Sequence, residues 1–233
     1  MFLLGTIVNG LLIIIGTFIG KFLHRIPEGM KTTVMYGIGL SVIVLGLQMG
    51  FESKNFLIVI ISLVLGAVIG EYYSLDEKLN AVGQWLERKL GNTGEGSISQ
   101  GFVTATLIFV IGAMAIIGAL DSGIRGDHNV LYTKALIDGF TSIILASTLG
   151  IGVLFSAIPV VLYQGIIAMF ATQIDRFVPA ALLESFIVEL TATGGVMILA
   201  IGLNLLGLTK IKVANLLPGI LVTGLIVSIL YFL

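Results

Sequence analysis

Residues 9–22, NGLLIIIGTFIGKF, read like residues 164–177, QGIIAMFATQIDRF. Each stretch begins with an amide and a glycine and ends with a base and a phenylalanine, at an offset of 155 residues. The next apolar segments repeat the pattern, because glycines 39 and 46 correspond to glycines 195 and 202 at an offset of 156. Repeated apolar segments favour a membrane protein built from two related halves. Chance is the alternative, because glycine-rich apolar helices align easily.

The composition indicates a protein that crosses the membrane many times. The chain is 57% hydrophobic and 11% charged, with a mean hydropathy of +1.12. Several apolar runs reach the roughly 20 residues that span a bilayer core of ~30 Å. In lipid these runs must be helical, since unsatisfied backbone groups are too costly there. The sequence therefore predicts an all-α transmembrane bundle over residues 1–233, with eight spans at 2–21, 33–51, 55–73, 99–120, 130–156, 158–175, 179–207 and 213–232.

The spans fall into four parts of one transmembrane domain. The apolar stretch 130–175 is too long for one crossing, and the sequence around Pro159 is the natural break. Leucines and Val82 recur at helical spacing between Leu75 and Leu90, with charges on the other face, which predicts an amphipathic helix on the membrane surface. A glycine-rich linker, Gly91–Ser97, follows it. The parts are two repeat units at 1–73 and 158–233, a surface helix and linker at 74–98, and a central helix pair at 99–156.

The repeat is predicted to be inverted. Five crossings separate span 1 from span 6, so spans 1–3 and 6–8 point in opposite directions. Eight Lys and Arg residues fall on one side of the eight spans and four on the other. The protein is predicted to lie in the bacterial cytoplasmic membrane. Because positive residues favour the cytoplasmic side, the side with eight is predicted to face the cytoplasm and both termini are predicted to lie outside.

The second helix of each repeat unit is the predicted binding region. Glycine pairs weaken a helix, and threonine hydroxyls can satisfy freed backbone groups. Broken helices in corresponding positions of two halves are typical of transporter sites near the membrane midplane. Close helix packing through small residues is the alternative. The candidate residues are Gly37 and Gly39 in span 2, and Thr191, Thr193, Gly194 and Gly195 in span 7.

Five further polar residues in the spans are candidates for binding a solute or ion. Ionisable groups inside spans are costly and suggest function. Glu189 is predicted to hold a cation or proton, with an interfacial position as its alternative. Asp138 is a second candidate, although Lys134 at i−4 could pair with it. Asp121 is otherwise a solvated helix end, and Asn9 and Gln164 otherwise form interhelical hydrogen bonds.

Several classes of function are not expected. Cysteine is absent, and no His or Cys pair has metal-ligand spacing, so neither a metal site nor a cofactor is predicted. No catalytic or nucleotide-binding motif occurs, so we expect no enzyme activity. The net charge of -1 gives no sign of a nucleic-acid partner.

The chain resembles a known family in four stretches: Gly5–Gly10, Gly118–Asp121, Leu131–Phe140 and Ser147–Pro159. Together they resemble the uncharacterised bacterial membrane family of the YdfK and YqgA type, and the resemblance covers the whole chain. It implies a multi-pass protein of the bacterial cytoplasmic membrane, sometimes labelled a possible transporter. It implies no substrate and no site residues.

The main hypothesis is a secondary transporter that works by alternating access around a midplane site. Its partners would be the lipid bilayer and an unknown small solute or cation. An ion channel or oligomeric pore is one alternative, and homo-oligomerisation stays open. A membrane scaffold without transport is the other, and it predicts a dry interior whose carboxylates are paired or at the rim.

Overall fold

The computed structural model describes residues 2–22, 28–90 and 97–233. All regular structure in these ranges is helical, as predicted. Most of the predicted linker Gly91–Ser97 lies outside the described residues. Short 3-10 helices occupy Gly150–Ser156 and Val213–Leu216. The α-helices are α1 Leu4–Phe22, α2 Glu28–Gly50, α3 Phe56–Tyr72, α4 Leu75–Leu90, α5 Ile98–Val110, α6 Ala113–Ile124, α7 Asn129–Leu149, α8 Ala157–Phe177, α9 Ala180–Leu205 and α10 Pro218–Phe232.

Five helical stretches of the described chain are long and apolar enough to cross a membrane. They are Leu4–Phe22, Thr32–Gly50, Asn129–Phe177, Ala180–Leu205 and Val213–Phe232. Two bent pairs, α3 with α4 and α5 with α6, raise the number to seven if each pair is one span. By length and composition alone, five to seven spans are therefore supported.

The chain forms two compact units. The first comprises 1–35, 80–110 and 114–176, and the second comprises 36–79, 111–113 and 177–233. In the first unit, α1 packs along α7 in a parallel direction. Gly5 lies against Leu131 and Gly20 against the backbone of Ile143, with no room for a side chain at either glycine.

The 49-residue helical stretch Asn129–Phe177 folds back on itself. Gly10 of α1 lies against Val161, and Leu3 approaches Gly165, so α8 runs antiparallel to α1 and therefore to α7. The reversal begins at Gly150, whose φ of +79° favours glycine. The break predicted around Pro159 thus starts about nine residues earlier. Pro159 itself lies in the first turn of α8, where proline is tolerated.

Helices α5 and α6 together form one broken helix with a bend of 63°. The bend lies at Ile111–Gly112, where Gly112 has a φ of +148°. Ile98, at the start of α5, packs on Gly152 in the reversal after α7, and Gly118 of α6 packs on Leu131 near the start of α7. The broken helix therefore runs from one end of α7 to the other.

In the second unit, α2 and α9 pack antiparallel through glycines. Gly39 lies close to the backbone of Gly202, and Gly46 lies close to the backbone of Gly195. Helices α3 and α10 also pack antiparallel, with Gly66 against Gly219. Neither glycine-rich helix is unwound: α2 continues through Gly37 and α9 continues through Gly195. The predicted breaks in spans 2 and 7 are therefore wrong, and close packing is the reason for most of these glycines.

Helix α4 follows α3 after a bend of 59°, and its amphipathic sequence matches the predicted surface helix. Ser74, with a φ of +50°, makes the bend. Asn215 holds it, because its side-chain oxygen accepts from the Asp76 amide at 2.7 Å while its amide donates to Glu71. Lys212 donates to the same carboxylate at 2.9 Å, and this hydrogen bond raises the pKa of Lys212.

Candidate functional site

A buried ion pair lies between α7 and α1 in the first unit. The Lys134 ammonium donates to both oxygens of Asp138, at 2.9 Å to Oδ1 and 2.7 Å to Oδ2. Asn9 of α1 donates a third hydrogen bond to Oδ2 at 3.0 Å. Both charged side chains are at most 8% exposed. The predicted i, i+4 pairing therefore exists, and Asn9 and Asp138, two of the predicted site residues, meet directly.

Unsatisfied polar atoms accompany this pair. Within the described chain, Thr6 Oγ1, Asn9 Oδ1, Ser142 Oγ and both amide atoms of Gln164 are buried and have no hydrogen-bond partner. Ser142 lies one turn beyond Asp138 on α7 and packs beside Gly16 of α1. Unpaired buried polar groups cost about 1–3 kcal/mol each. A bound ligand or water that paired with them would recover part of this energy.

Gln164 of α8 lies beside the N-terminal part of α1, the part that carries Thr6 and Asn9. Its neighbours on the same stretch of α8 contact Gly10 and Leu3, which bracket Thr6 and Asn9. The side chain of Gln164 is fully buried. The glutamine predicted as a site residue therefore lies in the same unit as the ion pair, at a similar height along α1.

Asp121 lies near the end of α6 and is not part of the ion pair. Its carboxylate is 3.8 Å from the exposed guanidinium of Arg125. The next residue, Ser122, ties α6 to the chain start and to the following turn, because its hydroxyl donates to the Phe2 carbonyl and contacts His128. Asp121 fits the helix-end alternative that the sequence left open.

Glu189 belongs to the second unit and anchors the connection between α2 and α3. Its carboxylate accepts from the Ser53 hydroxyl at 2.6 Å and from the backbone amides of Lys54 and Asn55 at 2.9 and 3.0 Å. Because these amides precede the first turn of α3, the carboxylate also lies at the positive end of that helix. The geometry matches the interfacial alternative, since Glu189 lies level with a connection between helices.

The remaining predicted residues do not form a common site, and all of them except Gly37 pack against neighbouring helices or the break between α5 and α6. The Thr193 hydroxyl is 3.1 Å from that of Thr223, whereas the buried Thr191 hydroxyl has no partner. Gly194 packs on Ile111 at the break of the α5–α6 pair. Gly37 faces open space.

Two features of these contacts were missed at the level of sequence. Thr6 was not predicted, although it lies one turn before Asn9 on α1. The anchoring of Glu189 was missed because two of its three donors are backbone amides, which carry no residue signature.

Across the described residues, no three His, Cys, Asp or Glu side chains form a group that could hold a metal ion.

The apolar helices and the buried polar groups between them define a multi-pass membrane protein. Residues 4–228 match the family described as "Protein of unknown function (DUF554)", and the chain belongs to that family. Its relatives include the "Uncharacterized membrane protein YdfK" of Bacillus subtilis (strain 168), 31% identical over 97% of this chain and 96% of that protein. The "Uncharacterized protein YqgA" of Escherichia coli (strain K12) is 29% identical over 94% of this chain and 93% of its own length. No solved structure matches the chain.

Proposed function

We propose that the protein is a secondary transporter of a small solute or ion in the bacterial cytoplasmic membrane. The observation that carries this proposal is the buried Lys134–Asp138 pair, with unsatisfied polar groups nearby in an apolar bundle. Ionisable residues inside spans are expensive and mark ion or substrate pathways by default. Asp138, Lys134 and Asn9 form the core of the proposed site.

The helix contacts support an inverted repeat. The offset of 156 converts Gly39 into Gly195 and Gly202 into Gly46. It therefore converts the contact between Gly39 and Gly202 into the contact between Gly195 and Gly46, and both contacts are present. This exchange is what a two-fold axis between antiparallel copies produces. The first helices, α1 and α8, and the third helices, α3 and α10, are also antiparallel neighbours.

The fold-back of Asn129–Phe177 supports eight crossings. Counting α7 and α8 separately, and each bent pair as one crossing, adds one to the seven spans above. Lys134 is buried in an ion pair and is not a surface charge, so the Lys and Arg bias becomes eight against three. This bias supports the orientation with both termini outside.

Cysteine labelling tests this orientation, because the chain contains no native cysteine. Lys54→Cys and Arg125→Cys should react with a membrane-impermeant maleimide added to intact cells, and Lys78→Cys and Lys210→Cys should react only after permeabilisation. The reverse pattern would invert the topology. Labelling of Lys54→Cys and Lys78→Cys from the same side would contradict the crossing count.

Flux through proteoliposomes tests transport itself. Protein reconstituted at known density should carry radioactive Na⁺, K⁺ or a solute from a pooled panel, and Asp138→Asn should abolish that flux. Asp175→Asn is the matched control, because Asp175 is an exposed carboxylate of the same unit. Unchanged flux in Asp138→Asn would remove Asp138 from the mechanism.

A scaffold without transport is a second candidate. Asp138 and Glu189 are both buried and fully engaged with donors, which is what that hypothesis predicted. The same reconstitution separates the two: a scaffold gives no flux above empty liposomes for any member of the panel.

A further inference from the structure

We infer that the Asp138 site binds a monovalent cation in exchange for the proton of Lys134. This inference rests on the proposed function, because it names the substrate class of the same site. It begins from the fact that the pair is neutral as it stands, with one carboxylate and one ammonium in contact at 2.7 Å. A cation that binds Asp138 is therefore repelled by the positive charge of Lys134 unless that charge is removed.

Charge balance points to exchange. If a cation M⁺ joined the pair without loss of a proton, the buried cluster would carry a net positive charge, which is expensive in an apolar interior. If Lys134 releases one proton as M⁺ binds Asp138, the cluster stays neutral in both states. The balanced step is Asp⁻·Lys-NH₃⁺ plus M⁺ giving Asp⁻·M⁺·Lys-NH₂ plus H⁺. No bond other than N–H is broken, and nothing is oxidised.

Among the described residues, no ionisable side chain other than Lys134 is found bonded to the Asp138 carboxylate. In the described chain, α7 packs against α1, α5, the reversal Gly150–Ser156 and α6, and α8, which carries Gln164, packs against α1. The ionisable residues of α8 are Tyr163 and, in its last turn, Asp175 and Arg176, and α7 itself also carries Tyr132. Helix α1 carries only Lys21 in its last turn, and α5 and the reversal carry no ionisable residue. Asp121 of α6 pairs with the exposed Arg125. Lys134 and Asn9 are the side chains found in contact with the Asp138 carboxylate.

The unsatisfied atoms favour a hard cation. Asn9 Oδ1, Thr6 Oγ1, Ser142 Oγ and Gln164 Oε1 are neutral oxygens without partners, and hard cations prefer oxygen ligands. A single carboxylate favours a monovalent over a divalent ion, since divalent sites usually gather several carboxylates, and no such group occurs in the described residues. The cation would lie between α1 and α7, with Asn9 turning its oxygen towards the ion.

Proton release from detergent-solubilised protein tests this inference without requiring transport. NaCl, LiCl or KCl is added to weakly buffered wild-type protein containing a pH indicator, with choline chloride as the ionic-strength control. We expect about one proton released per protein for at least one cation, and an apparent affinity that falls about tenfold per pH unit lost, as one-for-one competition requires. Asp138→Asn should release none, and Asp175→Asn should match wild type.

Two results would overturn the inference: no cation-specific proton release from wild type, or equal release from folded Asp138→Asn protein. The wild-type stoichiometry and pH dependence decide the question even if Asp138→Asn fails to fold. Flux in proteoliposomes without proton release would refute exchange and leave transport standing. Proton release without flux would support the site and refute transport.

Discussion

Replacement of Glu189 gives the sharpest test of what a buried carboxylate does in this protein. Its three donors are the Ser53 hydroxyl and the amides of Lys54 and Asn55, at 2.6, 2.9 and 3.0 Å. Glu189→Ala removes the carboxylate that accepts these hydrogen bonds, so the Lys54 amide loses its bond to Glu189. The Asn55 amide keeps a second hydrogen bond, of 3.2 Å, to the Ser53 hydroxyl. The three bonds are only part-buried, so each is expected to contribute about 1 kcal/mol, the usual net value of a hydrogen bond in a protein.

We therefore expect Glu189→Ala to lower the free energy of unfolding by about 3 kcal/mol. Glu189→Gln should lose only about 1 kcal/mol, because its carbonyl oxygen can accept from both amides while its NH₂ group donates to Ser53. At roughly 2–4 °C per kcal/mol, the alanine variant should melt about 6–12 °C lower. The assay is thermal unfolding of purified protein in detergent, followed by far-ultraviolet circular dichroism.

Two outcomes would refute this reasoning. Glu189→Ala within about 0.5 kcal/mol of wild type would show that the three hydrogen bonds contribute nothing measurable. Loss of flux in a well-folded Glu189→Gln protein would show that the charge has a transport role beyond anchoring the connection between α2 and α3.

Three other predictions concern packing and backbone conformation, and thermal unfolding measures each. Gly195→Leu should lower the free energy of unfolding by about 1–3 kcal/mol or more, because the side chain would overpack against α2. Gly37 faces open space, so Gly37→Ala should leave that free energy unchanged or raise it by up to about 1 kcal/mol. Equal effects of the two substitutions would contradict the packing described for α2 and α9. Because φ of Ser74 is positive, Ser74→Gly should be tolerated, whereas Ser74→Val should lower the free energy of unfolding by about 1–2 kcal/mol. A larger loss of stability in Ser74→Gly than in Ser74→Val would refute the conformation of this bend. Asn215→Leu should cost about 2 kcal/mol and exceed the effect of Lys212→Met, since Asn215 is buried and serves two partners; a larger effect of Lys212→Met would contradict this.

Helical spacing accounts for what could be predicted. The i, i+4 spacing of Lys134 and Asp138 is sufficient to place them together on any helix, and the structure shows the pair. The periodicity of Leu75 to Leu90 gave the extent of α4 for the same reason. Both depend on local geometry alone, which the order of residues contains.

Glycine patterns could not be interpreted from sequence alone, because glycine both weakens a helix and permits close contact between helices. In α2 and α9 the second effect dominates, and Gly46 and Gly195 lie backbone to backbone. The observed break at Ile111–Gly112 carries one glycine among apolar residues, much like many unbroken positions in this chain. Only the tertiary neighbours distinguish the two cases.

Insertion of the chain into the membrane is constrained by the reversal between α7 and α8. The connection Gly150–Ser156 contains no charged residue, and much of it is buried against α1 and α5. It therefore offers no positive charge that could hold this connection on one side of the membrane after α7 has been inserted and before α8 follows. Apart from Lys134, which is paired with Asp138 inside α7, the nearest bases are Arg125 and Arg176, and these flank the pair at its other end. If α7 and α8 cross the membrane separately, as proposed, we expect them to insert together, as a hairpin whose orientation is set by its flanking residues.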